Sequence, residues 1–463
     1  MKERARVREE EVRQIVRETF ASSSDMALKL ELVDTLQRIG VSYRYGEEID
    51  ELLRAVHRNA RQHQEGRRDD DDHLYVTSLR FYLLRKHGYS VSSDVFVKFR
   101  DDQGNFASDD VNALVMLHDA VHLRTRGEEA LDSAVTFTKI RLQSVMDSLE
   151  PELAEEVRCT LETPRYRKVQ RVEARRYLSL DYTILHAQYC DELRSLTITK
   201  HNYSTDGGKD LRSRADLRFA RERVPQYSYS RILLTKFFKL VSLIDDFCDS
   251  YSTTEESEKF TMAIERWDEQ EAELFTAYMK ALYINVLHNI NDIIQELKLQ
   301  KKSHAELVKE LLIDMTQCYH AEVKWRDERY VPAKVEEHLQ LSAPSSACMR
   351  ITNLAFISLG DVTTREDIDW REQASEHVVS TVQTCMKEYG FTVEQAKEKL
   401  GALIDEAWMD IVEECLDGGH PMALLEKAVN LARGMDHMYK RDDAYTFPLG
   451  LKDAIASTFV DSM

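Results

Sequence analysis

Glycine and proline are scarce in this chain, 15 and 7 among 463 residues. Few positions therefore break a helix or require a left-handed backbone, and long stretches carry helical spacing, so an all-α fold is expected. Positive charge is also in deficit, with a formal net charge of −19. No basic field is present to attract nucleic acid or an anionic membrane surface. No apolar run approaches the length of a membrane span, so membrane insertion is not expected. The seven cysteines, at positions 159, 190, 248, 318, 348, 385 and 415, fall into no CxxC or zinc-like spacing. They read as reduced core thiols of an intracellular chain. The opening MKERARVREEEVRQIVRETF mixes acids with bases and lacks the acid-poor, Ser-rich character of an organelle transit peptide. A cytosolic location follows as an expectation.

The length suggests two domains. Helical patterns fill the first third: ALKLELVDTLQRIG, IDELLRAVHRNA, VTSLRFYLLRKHG and ALVMLHDAVHLRTRG. Short polar loops separate them, and no fixed period recurs as in a solenoid. Asp69 to Asp72 form a DxDD-like run beside Gly66, Arg67 and Arg68, where a solvated loop is the better reading than a metal site. Around LETPRYRKVQRVEARRYLSL the chain turns basic and Pro164 interrupts the helical pattern. A boundary there gives domains 1–165 and 166–463. Residues 197–216 lack an apolar period and read as loop. Helical patterning resumes at Tyr229 and runs through most of the remainder.

The chemistry concentrates in LLTKFFKLVSLIDDFCDSYSTTEES, where Asp245, Asp246 and Asp249 form a DDxxD pattern. On a continuous helix, Asp245 and Asp249 project from one face about 6 Å apart along the axis. Nearly every neighbour from Ile232 to Phe247 is apolar, so the helix is expected to be buried. Two like-charged carboxylates in that setting are costly unless cations neutralise them. Magnesium suits hard oxygen ligands and keeps positions for water and phosphate oxygens, with manganese as a substitute. A bridging divalent ion also lets an acidic protein accept an anionic, phosphorylated substrate.

Arg221 and Arg223 lie upstream in RFARERV. Their forked guanidinium groups suit a departing diphosphate, although RER alone reads more simply as a solvated turn. Asp443 and Tyr445 fall in YKRDDAYTFP, a polar loop placed where it would close over a pocket and exclude water. Trp325 offers an aromatic face to a cation, with a packed core tryptophan as the stronger reading.

Taken together these segments resemble a plant class I terpene synthase of the sesquiterpene-forming group. The likeness is carried in the first half by ELVDTLQRIGVSYRYGEEID, DVFVKFRDDQGNFASDDV and HLRTRGEEALD. It continues in RFARERV, SYSRILLTKFFKLVSLIDDFCDSYSTTEES, ERWDE, ALYINVL, AEVKWRDERYVP, GDVTTREDIDW, DEAWMDI, MALLEKAVNLAR and DAYTFP. The resemblance implies an N-terminal helical barrel without chemistry and a C-terminal catalytic helical bundle. It implies magnesium-assisted removal of diphosphate from a prenyl diphosphate, then cyclisation of the allylic cation and loss of a proton. By position, Asp245 and Asp249 would bind metal and Asp246 would support them. Arg221 and Arg223 would hold the diphosphate, and Asp443 and Tyr445 would cap the pocket. The start lacks a twin-arginine and tryptophan motif, which favours cytosolic farnesyl diphosphate as substrate for a monomeric enzyme.

Three joins are shorter than in similar enzymes. They lie between Leu180 and Asp181, at Val224–Pro225, and between GDVTTREDIDW and VVSTVQTCMKEYG. The last holds only Arg371 to His377, where relatives carry a second metal motif, (N/D)Dxx(S/T)xxxE. Gly360 to Thr364 imitate part of that motif, but Ile368 stands where glutamate is needed. Two readings stay open on these residues: a metal-dependent prenyl diphosphate cyclase, or an inactive remnant or mis-spliced form. A chain-elongating prenyltransferase would want a second aspartate-rich helix, and none follows Asp249.

Overall fold

The computed structural model describes residues 13–21, 25–63, 73–101, 106, 108–179, 228–302, 304–359, 381–441, 444 and 448–456. Among them, regular structure is helical apart from one isolated antiparallel bridge between Arg100 and Phe106. The first run of α-helices is α1 (13–21), α2 (Met26–Arg38), α3 (Gly46–His63), α4 (Leu74–Lys86), α5 (Val111–Val121), α6 (Glu129–Val145), α7 (Pro151–Glu162) and α8 (Gln170–Ser179). The second is α9 (Ser228–Asp246), α10 (Thr254–Arg266), α11 (Ala277–Leu299), α12 (Leu307–Asp327), α13 (Val335–Ser345), α14 (Cys348–Leu359), α15 (Val382–Tyr389) and α16 (Val393–Asp417). Then come α17 (Met422–Tyr439) and the short α18 (Lys452–Ile455). No helix among the described residues is long and apolar enough to cross a membrane.

Two compact units result: Met1–Leu211 together with Met409–Met463, and Arg212–Trp408. This division runs differently from a single cut near Pro164. The basic segment there forms a 3-10 turn, Arg165–Arg167, between α7 and α8. Buried Arg433 of α17 donates 2.6 Å from Nε to the Tyr166 carbonyl and lies over the Tyr166 ring. That contact ties the C-terminal segment into the first unit.

In the first unit α4 packs on α5 and α5 on α6. Arg85 is buried at the end of α4, where Nη1 donates to the Leu123 carbonyl at 2.8 Å and to Glu128 at 2.6 Å. A buried guanidinium is tolerable when its donors are satisfied in this way.

In the second unit α10 and α13 pack against α12, and α14 and α11 against α9. An aromatic cluster anchors one end, with Phe247 5.0 Å from Phe260, and Phe260 6.0 Å from Tyr283, between ring centroids. The Tyr283 hydroxyl lies 2.9 Å from the carbonyls of both Ala263 and Asp268, so its polar end is satisfied inside the core. Thr253 caps α10 with a reciprocal pair of bonds to Glu256, which fixes where that helix starts. The placement of Phe247 matters most, because it pins the segment that carries the aspartates.

Candidate metal centre

Helix α9 buries Leu233, Phe237, Leu240, Val241 and Ile244 along one stripe. Its other side is open: Leu243 and Asp246 are exposed and Asp245 is partly buried. The expectation of a fully buried helix is therefore corrected. The apolar run serves two purposes, one stripe for the core and a partly covered second face that presents the carboxylates.

The α-helix also stops earlier than spacing suggests. It ends at Asp246, and Phe247–Tyr251 form a π-helical turn in which the Ser252 amide reaches back to the Phe247 carbonyl at 2.8 Å. Asp249 thus sits on a widened turn that follows the α-helix. Such turns accommodate an extra residue and recur at functional sites.

Helix α12 lies beside this turn and contributes Tyr319, Glu322 and Arg326. Glu322 is partly buried and accepts a 2.5 Å hydrogen bond from the Ser345 hydroxyl. Burial, together with the charges of Asp249 and Asp245, pushes its carboxyl up to about 7 against the opposing pull of Ser345. Asp249 is exposed at its surface, yet loss of water around its carboxyl raises its pKa, with Arg326 lowering it and Asp246 raising it. Burial raises the Cys248 thiol to about 12, helped by Asp249 and Asp245. Tyr319 is held well above its ordinary range by burial and then by Asp245, Glu322, Cys248 and Asp249. Burial is the main cause of all these shifts, and neighbouring negative charge adds to it in each.

Arg326 is the nearby cation. Nη1 donates to the carbonyls of Cys248 at 2.6 Å and Asp249 at 2.9 Å, and Nη2 to that of Ser252 at 2.8 Å. Its fork is spent on the backbone of the aspartate turn. Among the described residues, no three His, Cys, Asp or Glu side chains converge closely enough to hold a metal ion by themselves. Asp245, Asp249 and Glu322 are oxygen donors of the kind a hard divalent cation takes, but they do not close around a single ion, so a magnesium-type cation there would be held by one or two of them together with waters and phosphate oxygens. A cation there would favour the ionised forms of Glu322 and Asp249 against the burial that raises them.

Of the residues singled out from sequence, Asp245, Asp246 and Asp249 are described, at the end of α9 and on the turn that follows it. Arg221, Arg223, Asp443 and Tyr445 lie outside the described residues, as do Asp69 to Asp72 and the shortened join at Arg371 to His377. Trp325 is partly buried, 5.5 Å from the Tyr330 ring and 6.0 Å from that of His338. Sequence reading passed over Glu322 and Arg326. The available signal was positional: Glu322 adjoins the stripe Leu312, Met315, Tyr319 and Val323, all of them buried.

The described residues thus give an all-α unit with carboxylates on α9, on the turn after it and on the adjacent α12. The family is shown by comparison with known proteins. The family model "Terpene synthase, N-terminal domain" matches residues 1–161. "Terpene synthase family, metal binding domain" matches 220–373, and "Terpene synthase family 2, C-terminal metal binding" matches 370–410. The chain is 44% identical to a Zea mays (E)-beta-caryophyllene synthase, covering 100% of this chain and 91% of the relative. It is 35% identical to a Sorghum bicolor zingiberene synthase, covering 100% and 92%. Isoprene synthase from grey poplar, solved with three magnesium ions and a thiolodiphosphate, shares the fold at a TM-score of 0.83 and 24% identity, covering 99% and 97%. The chain belongs to the terpene synthase family, and it carries that family's divalent-metal-binding domain. The maize alignment spans 510 positions against 463 residues, so the relative carries segments with no counterpart here.

Proposed function

We propose that this chain is a magnesium-dependent sesquiterpene synthase that ionises farnesyl diphosphate to a hydrocarbon and diphosphate. The observation that carries this reading is the 44% identity to a named sesquiterpene synthase across the whole chain, with Asp245, Asp246 and Asp249 at the end of α9 and on the turn packed beside α12. Asp245, Asp249 and Glu322 would hold the metal, with Asp246 in support. When bound, the metal supplies positive charge to the diphosphate oxygens as the C–O bond breaks. Arg221 and Arg223 take up the departing anion, and the segment with Asp443 and Tyr445 covers the pocket against water. The chemistry is assigned to residues 166–463, and the first 165 serve as scaffold. The acidic surface and thiol cysteines favour a cytosolic monomer.

A second reading, an inactive or mis-spliced form, is favoured by one observation. The sequence carries no second metal motif between Asp361 and Val378, and a relative has segments that this chain skips. Without an opposing set of ligands, misplacement of the diphosphate by about 1 Å costs on the order of a hundredfold in rate. Purified protein incubated with farnesyl diphosphate and magnesium, with volatiles read by gas chromatography, decides between them. Turnover above the no-enzyme control supports the synthase. Magnesium and pyrophosphate uptake without turnover supports the remnant.

A further inference from the structure

The three carbonyl groups gripped by Arg326 belong to the turn that carries Asp249. A helix end leaves its last carbonyls without internal partners, and a widened π-turn leaves them poorly placed for one another. Arg326 gathers those of Cys248, Asp249 and Ser252 onto one planar fork. Its Nε donates 2.8 Å to Asp327 Oδ1, which fixes the plane of the guanidinium. The other carboxylate oxygen, Asp327 Oδ2, accepts 2.5 Å from the Thr254 hydroxyl at the first residue of α10. Both ends of the segment from Phe247 to Thr254 are therefore tied to the last turn of α12. Glu322 stands four residues before Arg326 on that helix, on the same face and about 6 Å away along the axis.

We propose that Arg326, steered by Asp327, is a positioning residue of the metal centre, setting the spacing between Asp249 on its turn and Glu322 on α12. This rests on the reading of Asp245, Asp249 and Glu322 as the metal-holding set. Arg326 need not touch substrate to act. It holds one ligand-bearing segment at a fixed distance from another, and its side chain is 39% exposed, so the gain comes from geometry more than from charge. Arg is required where a planar fork must meet several acceptors, and Lys supplies one point of charge in its place.

The test uses full-length protein with Arg326→Met, Arg326→Lys and Asp327→Asn. Magnesium binding in the presence of inorganic pyrophosphate is measured by titration calorimetry, alongside melting temperature and hydrogen exchange of residues 247–254. In Arg326→Met the apparent magnesium dissociation constant rises tenfold or more and exchange in the turn accelerates. Arg326→Lys recovers less than half of that loss on a logarithmic scale, and Asp327→Asn loses about threefold. With farnesyl diphosphate, kcat falls and the magnesium requirement rises while KM for the prenyl substrate changes less than threefold. If Arg326→Met lowers the melting temperature but leaves magnesium uptake as in wild type, Arg326 is a structural cap and the proposal is overturned. If wild type takes up no magnesium with pyrophosphate, the metal-site reading fails and this role falls with it.

Discussion

Glu322 and Ser345 are joined by a 2.5 Å hydrogen bond in which the serine hydroxyl donates, across the packing of α12 on α13. The bond favours the ionised carboxylate, while burial and then Asp249 and Asp245 oppose it, leaving the group near 7. A metal ion needs the ionised form, so uptake competes with a proton there. Magnesium affinity in the presence of pyrophosphate is expected to fall as pH drops through 7. Glu322→Gln weakens it at least tenfold and leaves only the pH dependence of pyrophosphate's own ionisation, which calorimetry on both proteins between pH 6 and 8 reads as a difference.

The same shift has a stability consequence of opposite benefit. An unfolded Glu322 releases its proton near 4.5, whereas the folded one keeps it until about 7. Stability contributed by this group is full below the lower value and lost as pH rises through the higher one. Urea denaturation above pH 7 without metal is therefore expected to find Glu322→Gln more stable than wild type. A variant less stable at every pH would show that Glu322 is a structural hydrogen-bond acceptor.

Asp245→Asn and Asp249→Asn test the other side of the centre. On the proposed reading, each removes an ionised oxygen that would bind metal while keeping the side-chain shape. Metal-dependent turnover of farnesyl diphosphate is expected to fall on the order of a hundredfold or more in each. Melting temperature without metal should hold or rise, because the like-charge load on Glu322 and Tyr319 drops. Activity assays paired with thermal melts check both halves.

The helical architecture was readable because apolar positions recur at helical spacing through α2, α4, α9 and α12, and because few glycines or prolines interrupt them. The DDxxD cluster stood out for the same reason, as charge inside an apolar run. What the pattern hid was the turn at Phe247: a π-turn spends one extra residue, and no residue type marks it. Glu322 and Arg326 were hidden differently. In AEVKWRDERY each is one charge among many, and a helix face rich in charges reads as solvated. Only the structure reveals that Arg326 grips carbonyl groups of the aspartate turn and that Glu322 is partly buried against Ser345 of α13. The seating of α17 was invisible too, because Arg433 meets Tyr166 across hundreds of residues of sequence.

Lys86, at the end of α4, is an amine held among cations. Nζ donates 2.6 Å to Gln37 Oε1 and lies over the Tyr82 ring. Burial, then Arg165 and Arg433, lower its pKa to about 7, with Asp34 and Glu426 opposing. The unfolded chain binds this proton up to about 10.5, so stability rises as pH increases from 7 toward that value. Lys86→Met removes the titration. It is expected to be more stable than wild type at pH 7 by on the order of a few kcal/mol, with the gain shrinking steadily by pH 10. Urea midpoints at pH 7, 8, 9 and 10 give the difference curve, and a pH-independent difference would contradict it.

Gly88 closes α4 with φ of +80°, and the Tyr89 amide bonds back to the Leu84 carbonyl at 3.0 Å. A β-carbon added there would stand 3.1 Å from the Cys415 backbone oxygen and 3.1 Å from Met422 Sδ. The sulfur can swing aside, but a backbone oxygen cannot. Gly127 provides the control, since it has φ of +84° and open space around the same added atom. Gly127→Ala should cost only the left-handed penalty, about 1 kcal/mol. Gly88→Ala adds a steric conflict at the place where the C-terminal segment packs against α4, for a total of about 2–3 kcal/mol. Chemical denaturation of both variants separates the two contributions. Equal losses would mean that the chain near Cys415 yields, and that its packing on α4 is looser than the 3.1 Å approach implies.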